Sequence, residues 1–136
     1  MGRTKQKVTV NDFAAAVSEI LQKCNEQVGY VTTEALIDTA NEARRVLRST
    51  APKKKHKGGK YQRGFNWKLE RYAGGGKVVH IWNAGQHASL AHLLENGHAT
   101  RNGGFVDARP HFAPVNDAAQ KLIIANFKKK WDGVQI

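Results

Sequence analysis

Residues 65–82, FNWKLERYAGGGKVVHIW, decide the fold class. Phe65, Trp67 and Leu69 alternate with Asn66, Lys68 and Glu70, and after Gly74, Gly75 and Gly76 a second apolar-rich run extends from Lys77 to Trp82. Successive side chains of a strand point to opposite faces, so this pattern predicts an antiparallel hairpin. A lone hairpin is marginal in water, and its apolar face needs cover from helices or from a strand of another subunit. The alternation puts Phe65, Trp67 and Trp82 in core or subunit-interface packing in preference to a platform for stacking bases.

Helical patterns flank the hairpin. Phe13, Ala14, Val17, Ile20, Leu21, Cys24 and Val28 recur at steps of three and four, with Asn11 placed to cap the first turn. Cys24 lies on that apolar stripe and reads as a buried filler, not a nucleophile. Gly29 and the β-branched Val31, Thr32 and Thr33 interrupt the pattern, which resumes over Ala35, Leu36, Ala40, Ala43 and Leu47 to about Ser49. Two helices, or one long helix kinked at Gly29, satisfy this spacing. Ala51 and Pro52 end it. Past the hairpin, Ser89 to Asn96 reads as a short helix with Leu90, Leu93 and Leu94 on one face and Gly97 as its stop. Arg101 to Gly104 make a turn, and Phe105 and Val106 a brief third strand. Pro110 and Pro114 bracket an extended segment, after which a final helix turns Ala118, Leu122, Ile123, Ala125, Asn126 and Phe127 to the core. The expected class is α+β: N-terminal helix or helices, a small antiparallel β-sheet with a long basic loop, and a packed C-terminal helix. The 136 residues form a single domain.

The chain has 22 basic and 11 acidic residues, a formal charge of +11. Three runs hold 12 of the 22: Arg3, Lys5 and Lys7 in an N-terminal arm over 1–10; Lys53, Lys54, Lys55, Lys57, Lys60 and Arg63 in a loop over 53–64; and Lys128, Lys129 and Lys130. The remaining 10 basic residues meet 11 acidic ones, so the excess charge is appended to a nearly neutral body. The loop combines like charges with glycine and has no apolar anchor, which predicts a flexible segment that is either simply solvated or in contact with phosphates or an acidic partner. The three terminal lysines suit the carbonyl end of a helix. With Cys24 alone, no internal disulfide or cysteine-based zinc site exists. The absence of a long apolar run predicts no membrane span or signal peptide and a cytosolic setting.

Catalytic patterns are weak. The histidines at 56, 80, 87, 92, 98 and 111 match no metal-ligand spacing, so neither a metal nor another cofactor is expected. His80, Asn83 and His87 fit a histidine-asparagine-histidine nuclease poorly, because the run between them is too short for its hairpin-to-helix layout. No phosphate-binding glycine motif or nucleophile elbow occurs, and Gly74 to Gly76 precede a strand instead of a helix. The enzyme alternative is a small basic nucleic-acid-binding protein or toxin-like ribonuclease drawing on Tyr61, Arg63, Arg71, Tyr72, His80 and His92.

Residues 90–118, LAHLLENGHATRNGGFVDARPHFAPVNDA, carry a more specific signal. Ala91, Leu94, Glu95 and Gly97, then a glycine-rich turn, then Ala108, Arg109, Pro110, His111, Phe112, Ala113 and Pro114 before a final helix, form an order that resembles the tail-completion, or neck, proteins of long-tailed bacteriophages, the group around gene product ten of a lambda-like phage. The resemblance covers about residues 11–131. His111 departs from it, standing where that family favours an aromatic or aliphatic residue, and so does the loop at 53–64. The resemblance implies a structural virion protein without catalysis, forming a ring, expected to be a hexamer, that completes the tail or joins it to the DNA-filled head. Connector, head-closure or tail-terminator proteins would be its neighbours, with DNA passing through the neck, and the protein would be built in the host cytoplasm. Trp67, Trp82, Leu90, Leu94, Glu95, Arg109 and Phe112 are then the candidate interface, with Lys53, Lys54, Lys55, Lys57, Lys60 and Arg63 the candidate contacts to DNA or a partner. Glu95 and Arg109 are expected to pair in a salt bridge.

Overall fold

A capping box opens the first element. The Thr9 hydroxyl accepts from the Asp12 N–H at 3.2 Å, and the Asp12 carboxylate reaches back to the Thr9 N–H at 3.3 Å, which fixes the start of helix α1 (Val10–Thr50). The cap is therefore Thr9 and not Asn11, and the helix takes in the last residue of the expected arm. The computed structural model describes residues 9–52, 59–85 and 87–134.

Helix α1 runs unbroken for 41 residues through Gly29 and the β-branched positions where the sequence suggests an interruption. The hydroxyls of Thr32, Thr33 and Thr39 donate to the carbonyls of Val28, Gly29 and Ala35, one turn back, at 2.6, 2.9 and 2.7 Å. This satisfies the polar side chains inside the helix. Ala51 then turns extended (φ −61°, ψ 149°), as a residue before proline must, and the helix stops.

Residues 60–63 are not loop. Lys60–Arg63 form one turn, α2, and its Tyr61 is buried, so the basic segment has the apolar anchor that its composition conceals. Residues 53–58 lie outside the described residues. Strands β1 (Phe65–Arg71) and β2 (Lys77–Asn83) then pair antiparallel, Trp67 opposite Ile81 and Leu69 opposite Val79, across the predicted glycine turn. Phe65, Trp67, Leu69, Val79 and Ile81 share the inner face against α1 and the closing helix, whereas Trp82, partnered with Asn66, faces out. The two tryptophans thus lie on opposite faces and not in one interface.

A short 3-10 turn at Ala88–Leu90 leads into α3 (Ala91–Asn96), and β3 (His98–Ala99) pairs with β4 (Phe105–Val106). The third strand exists, but it builds a second two-stranded ladder and does not widen the first. The closing helix α4 (Phe112–Trp131) begins before Pro114, not after it. Proline fits there because the N–H groups of a first helical turn have no intrahelical acceptor.

Helix α4 returns antiparallel along α1. Val115 joins Ala43 and Leu47, Asn126 donates to Thr39 at 3.1 Å, and Lys130 pairs with Asp38 at 2.8 Å. Its inner side holds Leu122, Ile123, Asn126 and Phe127 half-buried, while Ala118 and Ala125, expected inside, are exposed. The main core comprises Ala43, Leu47, Ala51, Tyr61, Phe65 and Val115, with Phe65 fully buried at its centre. The rings of Tyr61 and Phe112 meet Phe65 edge-on at 5.2 and 5.5 Å.

All of this packing lies on the C-terminal part of α1. The hairpin tip ends where Lys77 donates to the Gly29 carbonyl at 2.8 Å, and the C-terminal end of α4 brings Gly133 and Val134 beside Gln27, Tyr30 and Val31. Residues 10–22 of α1 are exposed throughout. Gly29 has no steric need to be glycine, since a Cβ there would sit 3.8 Å from Lys77 Nζ, an ordinary contact. Gly29→Ala should therefore stabilise the fold by about 0.5–1 kcal/mol through helix propensity. A rise in the urea midpoint at unchanged m-value is the expected reading, and a fall would place a backbone requirement at this position.

Candidate functional site

The two motifs that carry the sequence resemblance meet at one carboxylate. Helix α4 begins with three free N–H groups, those of His111, Phe112 and Ala113, followed by Pro114, which has none. Glu95, at the end of α3, accepts all three, at 2.8 and 3.0 Å through Oε2 and 2.9 Å through Oε1. A negative charge at a helix N-terminus also faces the positive end of the dipole. In return, the Arg109 N–H donates to the Leu94 carbonyl at 2.6 Å and the Gly97 N–H to the Leu93 carbonyl at 2.8 Å, satisfying the C-terminal end of α3. Burial alone would push the Glu95 carboxyl up. The three N–H donors, helped by the neighbouring His111, outweigh it and hold the group below its ordinary 4.5.

The expected Glu95–Arg109 salt bridge does not form within the chain. Both carboxylate oxygens of Glu95 are engaged by the helix, and the exposed Arg109 side chain makes no ion pair among the described residues, so Arg109 acts here through its backbone. Gly97 makes the crossing possible. It adopts φ 75° and ψ 170°, a conformation open essentially to glycine alone, and a Cβ there would lie 2.7 Å from the Val106 carbonyl oxygen.

Beneath the cap lies a buried polar chain. His111, 3% exposed, places Nδ1 2.9 Å from the Arg109 carbonyl oxygen and 3.0 Å from Glu95 Oε2. Both are acceptors, which assigns the proton to Nδ1 and leaves Nε2 to accept from the Tyr61 hydroxyl at 2.7 Å. Asn83 holds the other side of Tyr61, donating to its carbonyl at 2.6 Å and accepting from the Gly85 N–H at 3.0 Å. The Tyr61 hydroxyl is pushed up to about 12 by burial and by the Glu95 charge. His111 also packs as a ring, its centroid 4.8 Å from Phe112 and 6.0 Å from Phe65. It thus fills an aromatic's place while satisfying both nitrogens. Neither Tyr61 nor His111 stood among the expected interface residues; the lone aromatic in a basic stretch and the histidine between Pro110 and Phe112 were the available signals.

The remaining candidates scatter. Phe112 and Leu94 are half-buried against the core, Trp67 donates from Nε1 to Asn41 at 3.0 Å, and Leu90 and Trp82 are exposed. Lys60 and Arg63 are exposed on α2, and Lys53, Lys54, Lys55 and Lys57 lie outside the described residues. His80, Asn83 and His87 do not converge: His80 is on the outer hairpin face and Asn83 is buried beneath Tyr61. Cys24 is half-buried, on a stripe that nothing described covers, and is not core. Among the described residues no three metal-ligating side chains gather, and no helix is long and apolar enough to cross a membrane.

The outer hairpin face does collect polar groups. Glu70 accepts from Lys68 at 2.8 Å, lies 3.0 Å from His80 Nε2 and 3.4 Å from the Tyr72 hydroxyl, and is held below the usual carboxylate range first by Lys68 and then by His80. Lys68, Tyr72 and His80 are exposed and Glu70 is partly so, a setting in which such pairs contribute little to stability.

Comparison with models of known families, with characterised proteins and with solved structures finds no match to this chain.

Removing the charge of Glu95 should weaken the join between α3 and α4. Glu95→Gln is expected to cost about 2–3 kcal/mol at pH 7, the scale of a few hydrogen bonds to a charged group. Because the folded carboxyl titrates below its unfolded value of 4.5, its contribution is present above that pH and is lost as pH falls through the folded value. Urea unfolding at pH 7 and pH 3 should show the gap between wild type and variant closing on the acid side. A gap of the same size at both pH values would refute the charged cap. Tyr61 predicts the opposite limb. With the folded hydroxyl at about 12 against an ordinary 10, stability should fall from pH 10 upward, and less steeply in Tyr61→Phe, which should also lose about 1–3 kcal/mol at pH 7 by orphaning His111 Nε2.

Proposed function

We propose that this chain is a structural subunit of the neck of a long-tailed bacteriophage, working as one member of a ring that completes the tail or joins it to the DNA-filled head. The observation that carries the reading is the bare N-terminal part of α1: Val10, Phe13, Ile20 and Leu21 are more than half exposed on a rigid helix, continuous with the stripe that α4 buries further along as Val31 and Ala35. Large apolar side chains at helical spacing on one projecting face are what a subunit keeps for its neighbours. The resemblance of residues 90–118 supports the same reading, and the Glu95 cap gives its two motifs a shared physical purpose. The exposed β3–β4 hairpin, with Phe105 at its ladder and Arg101 at its turn, is a second surface of the same kind. Neighbours in this reading are further copies of the chain and connector, head-closure or tail-terminator subunits, with DNA in the lumen within reach of the basic segments. The site of action is the virion neck after assembly in the host cytoplasm.

A second reading draws on the outer hairpin face, where Glu70 and His80 stand as an acid–base pair beside Lys68 and Tyr72, side-chain types that suit metal-free cleavage of RNA. The two readings separate on one comparison. Particles made when the gene is interrupted should accumulate as separate filled heads and tails, visible by electron microscopy, and the purified chain should not turn over RNA. Joined, normal virions together with ribonuclease activity abolished by His80→Ala would overturn the neck assignment in favour of the enzyme.

A further inference from the structure

The chain carries two apolar surfaces of opposite shape, far apart. One is convex: Val10, Phe13, Val17, Ile20 and Cys24 follow one another at steps of three, four, three and four along the projecting part of α1. The other is a groove of about 380 Å³ at the opposite end of the same helix, between the inner hairpin face and α4, lined by Leu47, Val79, Ile81, Phe112, Val115 and Ala119, among others, without a charged side chain. We propose that residues 10–24 of α1 seat in this groove on a second copy of the chain, each subunit giving one arm and receiving another.

Three observations favour a second copy of this chain as the occupant. First, the arm cannot reach its own groove. Helix α1 is continuous from Val10 to Thr50, and about 30 residues at 1.5 Å each hold Val17 roughly 45 Å from Leu47. Second, the charges complement. Residues 10–24 contain Asp12 and Glu19 against Lys23, a net −1, leaving 21 basic and 9 acidic residues elsewhere, a net +12. The seated stretch thus lacks the excess positive charge of the rest of the chain: it meets the basic body of another copy without repulsion and offers nucleic acid no cluster of cations. Third, pairing of arm with arm is poorly provided for. The 3-4 spacing spans only about two heptads, the flanking positions hold Ala14, Ala16, Leu21 and Lys23 with no opposing charges to fix a partner, and both arms would bring the same negative charge. Insertion of a convex surface into a different, concave one is heterologous. It propagates from copy to copy and closes into a ring when the rotation permits. Only that closure rests on the neck reading; the contact itself does not.

The test uses the full chain with Cys24→Ser, into which Val17→Cys and Ala119→Cys are introduced singly and together. After mild oxidation the double variant should give a ladder of cross-linked oligomers from the dimer upward, and neither single variant should cross-link. Phe13→Lys and Ile20→Lys, at positions 64% and 58% exposed, should leave the circular dichroism spectrum unchanged and shift the light-scattering mass to that of a monomer. A dimer from Val17→Cys alone would show arm-to-arm pairing and overturn the proposal. So would a wild-type chain that is monomeric at every concentration up to about 1 mM, a dissociation constant of the weakest associations. Oligomers that persist in Phe13→Lys without a cross-linked ladder would overturn this contact while leaving the ring standing. A full ladder with normal virions from the interrupted gene would retire the neck reading and leave the contact standing.

Discussion

The Glu95 carboxylate resolves a problem set at two helix ends at once. Helix α4 opens with N–H groups that a proline-bounded turn cannot satisfy, and α3 closes with carbonyls in the same condition. Placing the end of one against the start of the other lets Glu95 take three N–H groups while the Arg109 N–H takes the Leu94 carbonyl, next to the bond from Gly97 to Leu93 that closes α3 itself. The excursion from His98 to Pro110 is thereby pinned at both ends. Its hairpin can stand in solvent with almost no core of its own because its ordering is imposed at the base. The same junction delivers His111 to Tyr61 and Tyr61 to Phe65, so the cap, the polar chain and the aromatic core form one connected unit.

Local features were legible in the sequence to the extent that local physics sets them. Alternation before the three glycines and an apolar-rich run after them specified the β1–β2 hairpin, and a one-residue slip would turn Phe65, Trp67 and Leu69 to solvent. The helical period marked α1, but not its continuity: threonines and Gly29 lower helix propensity, and burial of Val31 and Ala35 overrides them while the hydroxyls find acceptors one turn back. The capping box was present as Thr9 to Asp12, masked by Asn11, a residue type favoured at least as much at a cap when taken alone. Pro114 invited an extended reading because a proline that breaks a helix interior is harmless in its first turn.

Pairings across long sequence separations were not legible. Glu95 and residues 111–113 are joined through sixteen to eighteen intervening steps, and Tyr61 and His111 through fifty. Nothing in the local pattern distinguishes a glutamate that caps another helix from one that pairs with a nearby arginine. Burial was equally hidden: the period locates an apolar face but does not say whether the cover comes from within the chain. Phe13, Val17, Ile20 and Cys24 have the same spacing as the residues that α4 covers, and they differ only in lying beyond the reach of the hairpin tip and of Gly133.

That the uncovered part of α1 is helical at all follows from its continuity with the covered part. An isolated segment of this length is marginal in water, because the first turn fixes several residues for a single hydrogen bond. Here the nucleus is already built where Val31, Ala35 and Leu47 are buried, and each residue added toward the N-terminus gains a bond without paying that cost again. Ala14, Ala15 and Ala16 have the highest helix propensity of any residue, and the Thr9–Asp12 box holds the far end against fraying. In the proposed contact the arm would therefore arrive already shaped. Little conformational entropy would remain to be lost there, so a modest apolar stripe would suffice for association that a disordered segment of the same composition would not sustain.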